Sequence, residues 1–253
     1  MGQLLARGLV KRFGGRLVVN DVTIVIHQGE VVGLVGRNGA GKSTTFQMIA
    51  GYVVPDAGAI LLDDVEMSRR PPYQRARLGL TYLPQERSVF LKLSARENVL
   101  VPLEERGVPA RDRAARADAL LEEFGLGQSA CLPAHALSGG ESRKLEVARA
   151  LATDPKYVLF DEPFAGIDPI NVAELQQAIR ALQSRGIGVL VADHNVFYAF
   201  EIIDRGYVID AGRVLVEGSP LALGTDPRAR EAFLGEEFRL PPVLARHVEG
   251  RAP

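Results

Sequence analysis

Hydrophobic and polar positions divide the chain into three stretches. In the first, residues 4–10 and 17–26 are apolar and β-branched, with Gly14-Gly15 between them, which predicts two strands and a turn. Val31-Val32-Gly33-Leu34-Val35 is an unbroken apolar run, the mark of a short strand covered on both faces. A glycine-rich loop and a helix follow. Pro55-Asp56-Ala57-Gly58 reads as a turn, and residues 59–62 and 79–83 as further strands. From Ser94 to about Ala152 the pattern becomes helical, with Leu120, Leu121 and Phe124 forming an apolar stripe among charges. No β-branched run interrupts this stretch, so it reads as a helical insert in an α/β sheet protein. Alternation then returns. Residues 157–160 and 188–192 are buried strands, and Leu175, Ala178, Ile179 and Leu182 line one face of a helix between them. Residues 207–209 and 214–216 flank Ala211-Gly212 as a hairpin, and Asp226 caps a helix that begins at Pro227. The stretch after Leu240, with Pro241-Pro242, reads as a mobile tail.

Composition narrows the functional classes. The chain has 253 residues, 47% hydrophobic and 24% charged, ordinary for one folded domain with an insert. The net charge of 30 − 31 = −1 supplies no global drive toward nucleic acid or an anionic membrane surface. One cysteine, Cys131, excludes an internal disulfide framework and points to a reducing cytoplasmic compartment. No apolar run approaches 18 residues, so direct membrane insertion is not expected, and Met1 to Arg7 lacks the pattern of an export signal.

Three motifs carry chemistry. Gly36-Arg37-Asn38-Gly39-Ala40-Gly41-Lys42-Ser43 fits G-x-x-x-x-G-K-[ST] and sits between a buried strand and a helix. Glycines let backbone N–H groups turn inward around phosphate oxygens, and the helix start adds its positive dipole end. Lys42 is placed to reach the β- and γ-phosphates, Ser43 to bind Mg²⁺, and Thr44 completes the set. Residues 157–160 run into Asp161-Glu162, two carboxylates at the end of a buried strand. The first suits the metal ion, the second the attacking water. Leu137-Ser138-Gly139-Gly140-Glu141 opens another helix and forms a second nest of N–H donors. The same residues fit a capping box, Ser138 to Glu141, and both readings can hold together. Two phosphate-binding helix starts in one chain suggest two chains facing each other, each giving one start to each nucleotide.

With these residues in order, the chain resembles the nucleotide-binding subunits of ABC transporters over residues 4–240. The first motif is similar to their Walker A, residues 158–161 to Walker B, and residues 137–141 to the signature motif. The resemblance implies a P-loop NTPase (RecA-like) α/β core, residues 1–84 and 156–240, with an antiparallel β arm and a helical insert, residues 85–155. It implies ATP and Mg²⁺, a head-to-tail homodimer closed on ATP, and transmembrane permease subunits reached through a groove near Phe90. The expected location is the cytoplasmic face of the inner membrane. Carried over by residue, Phe13 matches the aromatic that stacks on adenine, Gln85 the glutamine that senses Mg²⁺ and water, Asp168 the aspartate at the dimer seam, and His194 the histidine on the γ-phosphate. Each has a plainer reading: Phe13 as core, Gln85 as a loop cap, His194 as a structural histidine behind a buried strand.

Several stretches are similar to the lipopolysaccharide-export branch of that family: residues 41–46, 82–86, 161–170, 192–196 and 233–240. ATPases of branched-chain amino acid importers are near relatives, and a non-transport ABC ATPase remains an alternative. Arg37, Phe160 and Ser142 depart from the commonest residues of the pattern, whereas Glu162 is intact, which predicts an active ATPase.

Overall fold

The structure is a computed structural model that describes residues 2–235 and 238–241. The tail expected from 241 onward lies outside the described residues after Pro241. In chain order the elements are β1 (Gln3–Phe13), β2 (Arg16–His27), β3 (Val31–Val35), α1 (Lys42–Ala50), β4 (Ala57–Leu62), β5 (Val65–Glu66), α2 (Pro72–Leu78), β6 (Leu80–Leu83), α3 (Ala95–Glu105), α4 (Ala110–Glu123), α5 (Gly139–Leu151), β7 (Tyr157–Asp161), α6 (Pro169–Ser184), β8 (Gly188–Ala192), α7 (Val196–Phe200), β9 (Arg205–Asp210), β10 (Arg213–Gly218) and α8 (Pro220–Thr225). A short turn at Pro227–Ala229, capped by Asp226, and a wide turn at Arg230–Leu234 follow.

Two sheets organise these elements. A six-stranded sheet has the order β10-β9-β3-β8-β7-β6, and a four-stranded antiparallel arm has the order β2-β1-β4-β5. Strands β6, β7, β8, β3 and β9 run parallel, and β10 returns antiparallel to β9. Every residue of β3, β7 and β8 is buried, the reason their sequences show no alternation. The alternation survives in which core each side chain joins. Val31 and Val35, Val158 and Phe160, Val189 and Val191 face one hydrophobic core, shared with α3 to α6. Val32 and Leu34, Tyr157 and Leu159, Leu190 and Ala192 face the other, built with α1 and the arm. Because the first core runs from the sheet into α3, α4 and α5, the helical stretch is anchored to it by side chains rather than by loops alone.

Four elements, β5, α2, α7 and α8, have no counterpart in the sequence expectation, and α2 shows why. Residues 72–78, left without a helix in the sequence reading, form α2. Only Arg75 of its seven residues is buried, so no apolar stripe marks it. Its punctuation is present all the same, with proline in the first turn and Gly79 in the left-handed region, φ 104°, at the C-cap.

Candidate nucleotide site

The loop from Gly36 to Gly41 leaves the end of β3 and enters α1 at Lys42. It is wedged between β2 and the β9–β10 turn. A Cβ on Gly36 would lie 2.2 Å from the Ile209 carbonyl oxygen, and one on Gly41 (φ 107°) 2.8 Å from that of Val18. Only glycine allows this approach. The Gly212 N–H donates to the Ala40 carbonyl at 2.9 Å, tying the loop to the hairpin turn. Arg37, Asn38 and Gly39 are exposed at the loop's crest and Ala40 is buried beneath it. Lys42 curls inward. Its Nζ donates to the carbonyls of Gly36 at 2.6 Å and Arg37 at 3.0 Å. Burial pushes this ammonium down, while Glu162, Asp161 and Asp193 hold it up. Ser43 is exposed and Thr44 half-buried at the first turn of α1, beside those open N–H groups.

The carboxylates arrive from neighbouring strand ends. Asp161 closes β7, and its Oδ2 accepts from the Tyr82 hydroxyl at 3.0 Å. Burial raises its pKa, against the Tyr82 bond. Burial likewise keeps the Tyr82 phenol protonated, with Asp161 adding to the upward push. Glu162 turns out of the strand at φ 47° and donates its N–H to the Ala192 carbonyl of β8 at 2.7 Å. Such a backbone is disfavoured for a residue with a Cβ and is held here by its surroundings. The Gln85 amide donates to Glu162 Oε2 at 2.9 Å, and His194 Nδ1 stands 3.3 Å from the same oxygen. Gln85 follows β6 and His194 follows β8, so strands on both sides of β7 deliver partners to one carboxylate. Such convergence at the carboxyl ends of parallel strands is where open α/β sheets bind ligands.

A second group gathers at the start of α5. Ser138 caps the helix: the Glu141 N–H donates to its Oγ at 3.2 Å, and the Ser138 N–H donates to Glu141 Oε2 at 3.0 Å. The Ser129 hydroxyl adds a bond to Glu141 Oε1 at 2.8 Å, and these donors, led by the Ser138 N–H, hold the Glu141 pKa down. The capping box is therefore made. Ser138 and Gly139 are exposed. Gly140 is buried against α6, where a Cβ would lie 2.3 Å from Asn171 Oδ1. Asn171 in turn donates its N–H to Asp168 Oδ1 at 3.2 Å, so Asp168 and the serine-glycine start stand together. Phe13, at the end of β1, is 49% exposed, which overturns its reading as core, and Lys11 Nζ lies over its ring, 5.5 Å from the centroid.

Three contributors were missed by the sequence reading. Tyr82 was visible only as part of Tyr82-Leu83-Pro84-Gln85. Asp193, fully buried, accepts from the N–H groups of Phe164 at 3.0 Å and Asn195 at 2.7 Å, fixing the segments that carry Glu162 and His194. An acidic residue directly after an apolar strand was its signal. Glu146, also fully buried, accepts from the Ser88 N–H at 2.5 Å and pairs with Arg143 at 2.5 Å. Beyond Gln85, a groove of about 480 Å³ is lined by Tyr73, Arg77, Tyr82, Phe90, Pro102 and Arg149. The Phe90 ring is 49% exposed there, with the Arg149 guanidinium 5.3 Å from its centroid. Among the described residues no group of three or more His, Cys, Asp or Glu could hold a metal ion alone. No described helix is long and apolar enough to cross a membrane.

A glycine loop between a buried strand and a helix, a lysine folded into it and two strand-end carboxylates make up the arrangement of a P-loop nucleoside triphosphatase. Residues 19–165 match the ABC transporter family, and the chain belongs to it. A probable ABC transporter ATP-binding protein of Azorhizobium caulinodans is 52% identical over 94% of this chain and 85% of its own length. The lipopolysaccharide export system ATP-binding proteins LptB of Acidithiobacillus ferridurans and Escherichia coli K12 are 48% and 44% identical, over 95% of this chain and 100% of theirs. Among solved structures, the ADP conformation of MJ1267, an ATP-binding cassette of an ABC transporter, superposes with a TM-score of 0.84 at 26% identity, covering 93% of this chain and 100% of that one. The fold is that of an ABC ATPase, and the chain is an ATP-hydrolysing ABC transporter subunit.

Proposed function

We propose that this subunit powers lipopolysaccharide export from the inner membrane, through two copies that close head-to-tail over two ATP molecules. The observation that carries the hydrolytic part is the fixing of one Glu162 oxygen by Gln85 and His194, which leaves Oε1 to accept a proton from water. Lys42 and the loop N–H groups hold the phosphates of one nucleotide, Phe13 faces its base, and Ser138, Gly139 and Gly140 of the other copy complete the cage beside Asp168. Ser43 and Asp161, with Gln85 nearby, suit Mg²⁺, a hard cation that takes oxygen ligands and is completed by substrate phosphates. The metal would supply charge neutralisation on those phosphates. His194 orients the γ-phosphate, and hydrolysis reopens the pair. ATP binding shifts the open–closed population, and turnover resets it. The groove at Phe90 receives a segment of the membrane-embedded permease, and the subunit works on the cytoplasmic face of the inner membrane. The export assignment is supported by relatives 44–48% identical along their full length that carry that description.

Glu162→Gln tests the mechanism. It should bind ATP, dimerise and hydrolyse at least a hundredfold more slowly; wild-type turnover refutes the base. Depletion of the protein in its host tests the cargo. Lipopolysaccharide should accumulate in the inner membrane, whereas a selective loss of leucine uptake would assign the subunit to an importer.

A further inference from the structure

We infer that Tyr82 is a positioning residue for the metal-binding carboxylate of Asp161. The inference rests on the proposed role of Asp161 toward Mg²⁺. Tyr82 lies on β6, the edge strand beside β7, in register with Leu159. Asp161 is two residues further along β7, so the two side chains share a sheet face. The phenol reaches along that face to Asp161 Oδ2 at 3.0 Å. Asp161 is only 9% exposed, so water does little to orient it. The hydroxyl engages one oxygen and selects one rotamer, so that Oδ1 is the oxygen that would be offered to a cation when one is bound. The Tyr52 ring, which follows the C-cap of α1, packs beside the Tyr82 ring, with centroids 5.4 Å apart at 58°. The helix that begins at Lys42 therefore ends against the residue that aims the metal carboxylate. Hydrogen bonds to ligating carboxylates set ligand orientation, and their loss typically weakens metal binding ten- to a hundredfold.

Tyr82→Phe removes the hydroxyl and keeps the ring. Mn²⁺ titrated into the protein saturated with a non-hydrolysable ATP analogue, followed by electron paramagnetic resonance of the free ion, reads the effect without turnover. The Mn²⁺ Kd should rise about tenfold. The Mg²⁺ concentration for half-maximal hydrolysis should rise by the same factor, with kcat recovered at saturating Mg²⁺. A Mn²⁺ Kd within twofold of the unsubstituted protein overturns the inference. Tyr52→Leu removes the ring contact and keeps the hydroxyl, and should leave the Kd within twofold. A tenfold rise there would assign the effect to packing and equally overturn it. If Glu162→Gln hydrolyses normally while the Tyr82→Phe shift is observed, the assignment of the base fails and that of Tyr82 stands.

Discussion

Glu146 offers a quantitative test of how the loop after Gln85 is tied to the helix that begins at Ser138. Its carboxylate is fully buried on α5, and the Arg143 side chain that pairs with it is 8% exposed. Glu146 Oε1 accepts from both the N–H and the hydroxyl of Ser88, at 2.5 and 3.1 Å, and Arg143 donates to the Pro84 carbonyl at 3.0 Å. One buried pair thus holds the backbone on either side of Gln85. Glu146→Leu nearly conserves volume but leaves Arg143 without its counter-charge and the Ser88 N–H without an acceptor. Breaking a buried pair from one side costs about 3–5 kcal/mol. The double variant Arg143→Met/Glu146→Leu removes both charges. The Ser88 N–H, the Ser88 hydroxyl and the Pro84 carbonyl then lose these partners, at about 1 kcal/mol each. Urea unfolding followed by circular dichroism should place the double variant between the parent and Glu146→Leu, with a coupling energy above about 1 kcal/mol. Both variants should lower kcat more than they raise the KM for ATP, because the site that loosens is the one around Gln85 and Glu162. A Glu146→Leu cost below about 1 kcal/mol, or strict additivity of the two single substitutions, would refute the reasoning.

Two further outcomes are expected. Gly36→Ala should destabilise by about 1–3 kcal/mol and abolish binding of a fluorescent ATP analogue, because the added methyl meets the Ile209 carbonyl at 2.2 Å; unimpaired binding would show that the loop has room. Glu141 has its folded pKa held below the ordinary value, so its contribution to stability is present above about pH 4.3 and is lost as pH falls through the folded value. The melting-temperature advantage of the parent over Glu141→Gln should therefore be largest at pH 7 and vanish in acid; an advantage that grows on acidification contradicts the capping geometry.

Much of this molecule was legible along the chain because the relevant physics is local. Strands β3, β7 and β8 read as unbroken apolar runs, for burial on both faces leaves no polar side. The glycines at 36 and 41, the lysine after them and the Ser138–Glu141 box are short-range arrangements, set by backbone geometry within a few residues. The α2 helix was hidden because its one buried side chain, Arg75, is charged. It serves the carbonyls of Met48 and Ile49 at 2.7 and 2.5 Å, partners more than twenty residues away. Phe13 shows the same limit from the other side: its exposure follows from where β1 ends, not from its type.

What the amino-acid order determined was the set of parts: a phosphate loop, two carboxylates at a strand end, a capped serine-glycine helix start, and the class of chemistry they serve. What only the tertiary structure decided was who meets whom. The strand order places β8 on one side of β7 and β6 on the other, and so brings His194 and Gln85, 109 residues apart in sequence (194 − 85), onto one oxygen of Glu162. Tyr82 finds Asp161, and Glu146 finds Ser88, by the same means. Sheet register and burial are properties of the packed chain, and hydrogen bonds across such separations form only once hydrophobic packing has set that register.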